Sequence, residues 1–220
     1  MRKIGTGFSA IPQATDGHGR MDAPAFHRNH DPIWSAIGSW LTQQDGDALE
    51  IGSGTGQHIV EFARKAPRLT WWPSDILDAH LRSIEAWSAE AALPNLRRPQ
   101  ILDLTEAAWQ PSGPAGALAA LICINVLHIA PWRVSENLLS GASRLLRPGG
   151  RLLVYGPFMR DGVHTAPSNA SFDESLRAKN PEWGVRDLAE LSALAARHGL
   201  SGIQADPMPA NNFVLTIIRG

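Results

Sequence analysis

The residues most suited to chemistry in this sequence are three glycines at alternate positions. Gly52, Gly54 and Gly56 follow a short apolar segment in which Glu50 is the one charged residue, and the helical pattern 57–65 comes directly after them. Glycine permits positive φ and close approach of a ligand to the backbone, and a helix N-terminus offers unpaired N–H groups. A strand, a glycine turn and a helix in this order predict a binding site for a nucleotide-like cofactor.

A second acidic residue lies where such a site needs one. Asp75 ends a short apolar segment 21 residues after Gly54, where the carboxylate of a second strand meets ribose hydroxyls. Asp78 is the alternative, but its position predicts the N-cap of the next helix. Asp103, in a third short strand, is placed either to accept a hydrogen bond from an adenine amino group or to cap a loop.

The spacing of the glycines distinguishes between cofactors. It is G-x-G-x-G, whereas a dinucleotide-binding turn has G-x-G-x-x-G. With Glu50, this spacing resembles motif I of class I S-adenosylmethionine-dependent methyltransferases. Pro-Gly-Gly at 148–150, before a predicted fifth strand, is another frequent feature of that class. A glycine-rich turn without a ligand is the alternative.

This resemblance implies an α/β, Rossmann-like class I methyltransferase fold. Such a fold has a seven-stranded, mostly parallel sheet of order 3-2-1-4-5-7-6 with helices on both faces. The resemblance also implies S-adenosyl-L-methionine as the cofactor and no metal. The residues assigned to the cofactor in this way are Glu50, Gly52, Ser53, Gly54, Thr55, Gly56, Gln57, His58, Asp75, Asp103, Leu104 and Asn125.

A narrower resemblance covers residues 24–219. The chain is similar to the methyltransferase-like 26 family in short segments that are not general to methyltransferases. These segments are 51–58, 72–75, 123–125 with His128, 155–157, 167–169, 181–184 and 208–212. The chain departs from the family pattern at His27, where an acidic residue usually precedes Arg-Asn.

Local signals place the other elements along the chain. Asp31 is predicted to cap a helix that has Pro32 at its first position and leads into the first strand. Further strands are predicted at 101–104, 118–124, 151–155, 201–206 and 213–218. The polar segment 156–184 shows no clear strand or long helix, and we expect it to be an insertion that binds the substrate.

The acceptor of the methyl group should lie beside the ends of the fourth and fifth strands. Asn125, His128 and Tyr155 follow those strands and are the candidate catalytic residues. His128 is the best candidate base because imidazole titrates near neutral pH, although a role in orienting a loop fits equally well. Residues on predicted rim segments are candidates for binding the acceptor: Arg28, Asn29, Arg160, His164, Asn169, Trp183, Asn211 and Asn212.

Composition bounds the kind of protein. A chain of 220 residues suits one domain, here 21–220, with a helical lid at 21–44 and a mobile tail at 1–20. The single Cys123 and the lack of an apolar run near the start indicate a cytoplasmic protein. A net charge of −1 favours a small-molecule acceptor and predicts that neither nucleic acid nor membrane is a partner. A homodimer is compatible with the sequence.

The sequence therefore predicts a methyltransferase that transfers a methyl group in line to an N, O or S atom of a small molecule. Two alternatives remain at this point. One is a nicotinamide-dependent oxidoreductase, which the glycine spacing disfavours. The other is a non-catalytic regulator that binds S-adenosylmethionine.

Overall fold

The computed structural model describes residues 15–113 and 117–220 of the chain. Its strands are β1 (Gly46–Ile51), β2 (Leu69–Asp75), β3 (Gln100–Ile101), β4 (Leu118–Ile124), β5 (Leu146–Gly156), β6 (Phe158–Arg160), β7 (Val163–His164), β8 (Arg186–Asp187), β9 (Gln204–Met208) and β10 (Asn212–Ile218). Its helices are α1 (Pro24–Leu41), α2 (Gln57–Lys65), α3 (Asp78–Ala91), α4 (Trp132–Leu145), α5 (Pro167–Lys179) and α6 (Leu188–Arg197), with short 3₁₀ turns at Leu127–Ile129 and Pro209–Asn211.

Seven of these strands form a central sheet in the order β3-β2-β1-β4-β5-β10-β9. Neighbouring strands from β3 to β5 are parallel, and β10 is antiparallel to both β5 and β9. The predicted fold class is confirmed. The last two strands have higher numbers than the sequence predicted because β6, β7 and β8, which form a second sheet, precede them in the chain.

Apolar side chains pack on both faces of the central sheet. Every residue of β4 is buried, as expected for a parallel strand covered on both sides. On one face, Ile33 of α1 and Phe62 of α2 pack with Trp71. On the other, Leu138 of α4 and Leu191 of α6 belong to a second apolar cluster. Among the described residues, none of the helices combines the length and the apolar composition of a bilayer span.

Helix α1 begins at Pro24, not at the predicted Asp31, and Pro32 lies inside it. Pro24 occupies the first turn, where a missing N–H breaks no helical hydrogen bond. The buried positions of the helix recur at a spacing of four: Asn29, Ile33, Ile37 and Leu41. Burial of this face offsets the hydrogen bond lost at Pro32. The prediction was wrong because Asn29 is polar and hides the start of the pattern.

The segment 156–184 contains regular structure, which corrects the prediction that it had none. Strands β6 and β7 pair antiparallel, and β8 pairs parallel to β6. Helix α5 lies between β7 and β8 in the chain. Strands of two or three residues show no periodicity, and two of the three buried residues of α5 are the polar Asn169 and Asp173.

The ends of several strands also differ from the predictions. Strand β3 covers two residues and stops at Ile101. Strand β5 begins earlier than predicted because Leu146 pairs with Leu118. Strand β9 begins at Gln204, where pairing with β10 starts. Backbone pairing with a neighbouring strand sets where each strand begins and ends, and this pairing cannot be predicted from the apolar pattern of one strand alone.

The predicted mobile tail is partly ordered. Residues 1–14 lie outside the described part of the chain, whereas 15–20 form a turn that packs on α3. The guanidinium of Arg20 pairs with Glu90 and lies 4.9 Å from the ring centroid of Trp87. The backbone of Met21 accepts a hydrogen bond from the indole of Trp87 at 2.9 Å and donates one to Ser83 at 2.8 Å.

Packing between α4 and the loop before β4 yields a first testable prediction. A Cβ atom on Gly141 would lie 2.0 Å from the Trp109 ring, and that ring is buried and donates to Asn137 O. Gly141→Ala should therefore lower the free energy of unfolding by roughly 1–3 kcal/mol, although alanine favours a helix. Chemical denaturation measures the change. Gly202→Ala is the control, since nothing lies within 4 Å of that position, and equal effects in the two variants would contradict this packing.

Candidate functional site

Two cavities lie at the edge of the sheet where β1, β4 and β5 end. We call the first, around Gly52, Gly54 and Asp75, the glycine cavity; its volume is about 240 Å³. The second lies between α1, α5 and the ends of β4 and β5. We call it the aromatic cavity, and its volume is about 580 Å³. Ala25, Asn125 and Ile129 line both, so the two cavities adjoin.

The glycine loop after β1 requires its glycines. Gly52, Gly54 and Gly56 have φ of 65°, 57° and 93°, values that side chains disfavour. A Cβ on Gly52 would lie 2.6 Å from the side chain of Val126, and one on Gly56 would lie 2.9 Å from Cα of Ile84. A Cβ on Gly54 would meet nothing within 4 Å, so this side of its backbone leaves room for a ligand.

Two carboxylates face the glycine cavity, and among its described lining residues there is neither Lys nor Arg. Asp75 accepts hydrogen bonds from Gly54 N at 2.9 Å and from Leu77 N at 3.0 Å. Glu50 is buried, and its Oε2 has no partner among the described residues. Burial raises the pKa of Glu50 to about 7; a hydrogen bond with Ser53 opposes this rise and the charge of Asp75 adds to it. The cavity is suited to a cationic ligand.

The first turns of α1 form a lid over the glycine cavity. Ala23, Ala25 and Phe26 line it. Gln57 holds this lid: its Oε1 accepts from Ala23 N at 2.8 Å, and its Nε2 donates to Asp22 at 2.7 Å. The same Oε1 accepts from the Thr55 hydroxyl at 2.9 Å, so the side-chain amide of Gln57 bonds to both the lid and the glycine loop.

His27, where the chain departs from the family pattern, supports the same lid. Its Nε2 lies 2.7 Å from Asp22 Oδ1, the carboxylate that also accepts from Gln57. The neighbouring Phe26 stacks on His30 with ring centroids 4.5 Å apart and meets His58 edge-on at 5.0 Å.

Most residues predicted to bind the cofactor line the glycine cavity: Glu50, Gly52, Ser53, Gly54, Thr55, His58, Asp75 and Asn125. Gly56, Gln57, Asp103 and Leu104 do not line it. Asp103 accepts hydrogen bonds from the N–H and the hydroxyl of Thr105, at 2.8 and 2.7 Å, which is the loop-capping alternative; its contact with adenine stays a prediction. Phe26 and His80 also line the cavity, and the sequence reasoning missed both because they lie inside helices.

The aromatic cavity gathers most of the predicted acceptor-side residues: Arg28, Asn29, Asn125, His128, Tyr155, Asn169, Trp183 and Asn212. It also contains Phe172, Leu176 and Lys179, which the sequence analysis missed because α5 was not predicted. Two cations, Arg28 and Lys179, line it, and no Asp or Glu is present among its described lining residues.

Three predicted acceptor-side residues do not line this cavity. The guanidinium of Arg160 lies 5.1 Å from the ring centroid of Phe213. His164 Nε2 lies 3.6 Å from Asp173. Asn211 holds the neighbouring loop, because its carbonyl accepts from Asn169 Nδ2 at 2.9 Å. The geometry gives these residues contacts with their neighbours, and their role in binding the acceptor stays a prediction.

Asn125 lies where the two cavities meet. Its φ of 57° is in the left-handed region, which asparagine tolerates better than most residues and which is enriched at functional sites. Its N–H donates to Tyr155 O at 2.9 Å, so the ends of β4 and β5 are joined there. Burial raises the pKa of the Tyr155 phenol, opposed by a hydrogen bond with Asn212 and by the charge of Arg28.

His128 lies on the 3₁₀ turn after β4 and is buried. Burial, together with the charge of Arg186, lowers the pKa of its imidazole from 6.5 to about 4. The imidazole is therefore neutral at physiological pH and available to accept a proton. The expectation that it titrates near neutral pH is wrong, because the sequence did not show its burial. Its ring meets that of Phe172 edge-on at 5.4 Å.

The buried Arg186 connects the parts of the aromatic wall. Its guanidinium donates to Leu127 O at 3.0 Å, to Glu182 O at 3.0 Å and to Ala130 O. In addition, Gly184 N donates to His128 O at 3.0 Å. The turn that carries His128 and the loop that carries Trp183 are thus held together. Within residues 15–113 and 117–220, no cluster of His, Cys, Asp and Glu is arranged to hold a metal ion.

Comparison with known proteins identifies the family. Residues 20–219 match the family described as protein of unknown function (DUF938). The chain belongs to this family.

Two relatives of this DUF938 protein are named 16S rRNA (adenine(1408)-N(1))-methyltransferase. The one from Streptoalloteichus hindustanus is 28% identical over 172 residues, which is 69% of this chain and 75% of the relative. The one from Streptoalloteichus tenebrarius is 31% identical over 158 residues, which is 65% of this chain and 70% of the relative.

Among solved structures, the apo form of the S-adenosylmethionine-dependent methyltransferase SibL is similar, with a TM-score of 0.70 and 22% identity. The match covers 89% of this chain and 55% of that one. The chain thus spans about half the length of that structure, and the likeness shows the class I methyltransferase fold alone.

With these findings, the DUF938 protein is an S-adenosylmethionine-dependent methyltransferase, and the predicted cofactor is confirmed. The prediction that no nucleic acid takes part is contradicted, since both relatives are named for 16S rRNA. That prediction rested on the net charge of −1, which describes the whole chain and not the wall of one cavity. The unpartnered Oε2 of Glu50 and the room beside Gly54 fit a cofactor that carries a sulfonium and an ammonium group.

Cofactor binding by this DUF938 protein should release a proton from Glu50. A cationic ligand favours the ionised carboxylate, so affinity for S-adenosylmethionine should rise with pH up to about 7, the pKa of Glu50 in the free protein, and level off above it. Calorimetry in buffers of different ionisation enthalpy counts the protons. Glu50→Gln should abolish the glutamate's share of this release. Equal release by the variant and the wild type would contradict the assignment.

The buried His128 should make the protein less stable in acid. Its folded pKa of about 4 lies below the ordinary 6.5, so the unfolded chain binds more protons between these values and stability falls as pH decreases from 6.5 to 4. His128→Asn should remove a loss of roughly 3 kcal/mol at most over this range. Urea unfolding at several pH values measures it. Parallel pH curves for the variant and the wild type would show that His128 is not the cause.

Proposed function

We propose that this protein transfers the methyl group of S-adenosylmethionine to a ring nitrogen of a nucleobase held in the aromatic cavity. The observation that carries the proposal is the junction at Asn125. There, a cavity with two carboxylates meets a cavity with two cations and no carboxylate among its described lining residues. A cationic methyl donor fits the first, and an acceptor attached to a phosphate fits the second.

The shape and lining of the aromatic cavity support an acceptor of this class. Its volume of about 580 Å³ is within the range of small-ligand sites, roughly 300–1,000 Å³, and so admits a group the size of a nucleoside. Four residues with ring side chains, Phe172, Trp183, Tyr155 and His128, line it, and a planar base stacks favourably on aromatic rings. The name of the two relatives, which specifies an adenine of 16S rRNA, agrees with a nucleobase.

The work of the protein in such a reaction is alignment. The cofactor supplies a methyl group already activated by its sulfonium. Glu50 and Asp75 hold the cofactor on one side of Asn125, and the walls of the aromatic cavity hold the acceptor on the other. Fixing the nucleophile in line and excluding water account for most of the rate enhancement in a transfer of this kind. The lid held by Gln57 serves the second purpose.

His128 has two possible roles in this proposal. A ring nitrogen with a free lone pair attacks without losing a proton, and the neutral imidazole then only positions the base. Where the attacking nitrogen bears a hydrogen, His128 is the group placed to accept it. In either role, the low pKa of His128 predicts no step in rate near pH 6.5.

The acceptor base has two sources. A free nucleoside or nucleotide agrees with the small-molecule acceptor that the sequence predicted, and a base within RNA agrees with the name of the relatives. The observations favour RNA, since Arg28 and Lys179 are exposed cations in the wall of the cavity and phosphates bind such residues. The resemblance to the methyltransferase-like 26 family stays a hypothesis beside this one.

Transfer of a labelled methyl group tests the proposal. The protein is incubated with labelled S-adenosylmethionine and, separately, with small-subunit ribosomal RNA, a mixture of nucleosides, and a mixture of phenols and thiols. Label should appear in the RNA, and nuclease digestion followed by mass spectrometry should locate it on a base nitrogen. Label in nucleosides alone would identify the free source, and label only in phenols or thiols would overturn the proposal.

Matched variants then test the charge of the cavity. Arg28→Gln combined with Lys179→Gln should lower RNA methylation about ten-fold or more and weaken its dependence on salt. Arg160→Gln is the control, because Arg160 does not line the cavity. Affinity for S-adenosylhomocysteine should remain unchanged in both proteins. An equal loss of RNA methylation in the control would show that these two cations have no special role.

A further inference from the structure

Two polar atoms in the wall of the aromatic cavity have no hydrogen-bond partner among the described residues: the indole nitrogen of Trp183 and Oδ1 of Asn29. Trp183 is 4% exposed and Asn29 is 7% exposed, so neither atom has free access to bulk water. A buried donor or acceptor without a partner is costly and therefore uncommon in folded proteins. Both residues line the same cavity, so a ligand there that offers one acceptor and one donor would satisfy both atoms.

The position of Trp183 is fixed by its surroundings. The backbone N–H of Trp183 donates to Asn180 O at 3.0 Å, and the backbone N–H of the next residue, Gly184, donates to His128 O at 3.0 Å. The preceding carbonyl, of Glu182, accepts from Arg186 at 3.0 Å. Hydrogen bonds on three consecutive residues hold this backbone, so the indole N–H is a preorganised donor.

Asn29 is fixed in a different way. It lies inside α1, on the face that buries Ile33 and Ile37 against the sheet. The neighbouring polar residues of the cavity differ from it, because Asn169 donates to Asn211 O at 2.9 Å and Asn212 donates to Pro209 O at 3.2 Å. Those amides support loops, whereas Oδ1 of Asn29 has no hydrogen-bond partner among the described residues.

We propose that Trp183 and Asn29 determine which base the enzyme accepts. The indole N–H donates to a lone pair on the acceptor ring, and Asn29 Oδ1 accepts from an amino or ring N–H of the same acceptor. The inference rests on the proposed function and narrows it to neutral rings that carry both groups, such as aminopurines. A ring without the N–H leaves Asn29 unpaired again, and a site of this kind discriminates strongly against such analogues.

Nucleoside probes that lack single groups test the pair. The probes are adenosine, purine riboside (which lacks the amino group) and the 1-, 3- and 7-deaza forms of adenosine (each of which lacks one ring lone pair). The variants are Asn29→Leu and Trp183→Phe, with Trp34→Phe as the control, since Trp34 lines neither cavity. Binding of each probe to the protein saturated with S-adenosylhomocysteine is measured by calorimetry, and kcat/KM is measured where methyl transfer occurs.

The expected result is a specific loss of discrimination. Wild type should bind adenosine about 10- to 100-fold more tightly than purine riboside. Asn29→Leu should reduce the affinity for adenosine to that for purine riboside and leave the affinity for purine riboside unchanged. Trp183→Phe should weaken the binding of adenosine, and the binding of one deaza probe should not change with that substitution. Such a dependence on the probe distinguishes recognition from a structural role, because a substitution that only disturbed the structure would weaken the binding of all probes equally.

Other outcomes distinguish a failure of this inference from a failure of the proposed function. Equal weakening of every probe by both variants, or a wild type that does not distinguish the probes, would overturn the pair as specificity residues. Methyl transfer to RNA or nucleosides would still stand in that case. Neither binding nor transfer with any base, in a protein that binds S-adenosylhomocysteine, would overturn the proposed function and this inference together.

Discussion

The site depends on how closely the glycine loop packs against its neighbours. Gly52 leaves no room for a Cβ beside Val126, and Gly56 leaves none beside Ile84. Because Val126 is fixed against the loop, the preceding Asn125 is held in its left-handed conformation between the two cavities. The hydrogen bond from Gly54 N to Asp75 ties the loop to the end of β2. One packing constraint therefore sets both the glycine cavity and the point where it adjoins the aromatic cavity.

Charge divides the two cavities as clearly as shape does. Buried carboxylates interact strongly with a cation because little water screens them. Burial raises the pKa of Glu50 to about 7, so below that pH it holds a proton until a cation makes its ionised form favourable. The aromatic cavity has the opposite sign, through Arg28 and Lys179. These opposite charges are the reason why the proposed function places a cationic donor on one side of Asn125 and an acceptor bearing phosphate on the other.

The sequence predicted the parts of the site that follow local rules. The glycine spacing and the acidic end of β2 depend on a few consecutive residues, and both lie where expected. The helices that bound the aromatic cavity were mispredicted because they bury Asn29 and Asp173, polar residues that break an apolar pattern. Phe172 and Lys179 were missed with α5. The low pKa of His128 and the cationic wall depend on three-dimensional neighbours, which neither periodicity nor net charge reports.

Several polar contacts join the elements around the aromatic cavity to one another. Arg186 donates to carbonyls before and after His128 and to the carbonyl before Trp183. Asp173 accepts from Val185 N at 2.6 Å and from Arg177 at 2.9 Å, which fixes α5 to the same loop. These bonds join α5, the loop before β8 and the turn after β4, whereas packing against Val126 and Ile84 and the bond to Asp75 hold the glycine loop. In the proposed function, the first set of contacts serves binding of the acceptor and the second serves binding of the cofactor, and Asn125 lies where the two cavities adjoin.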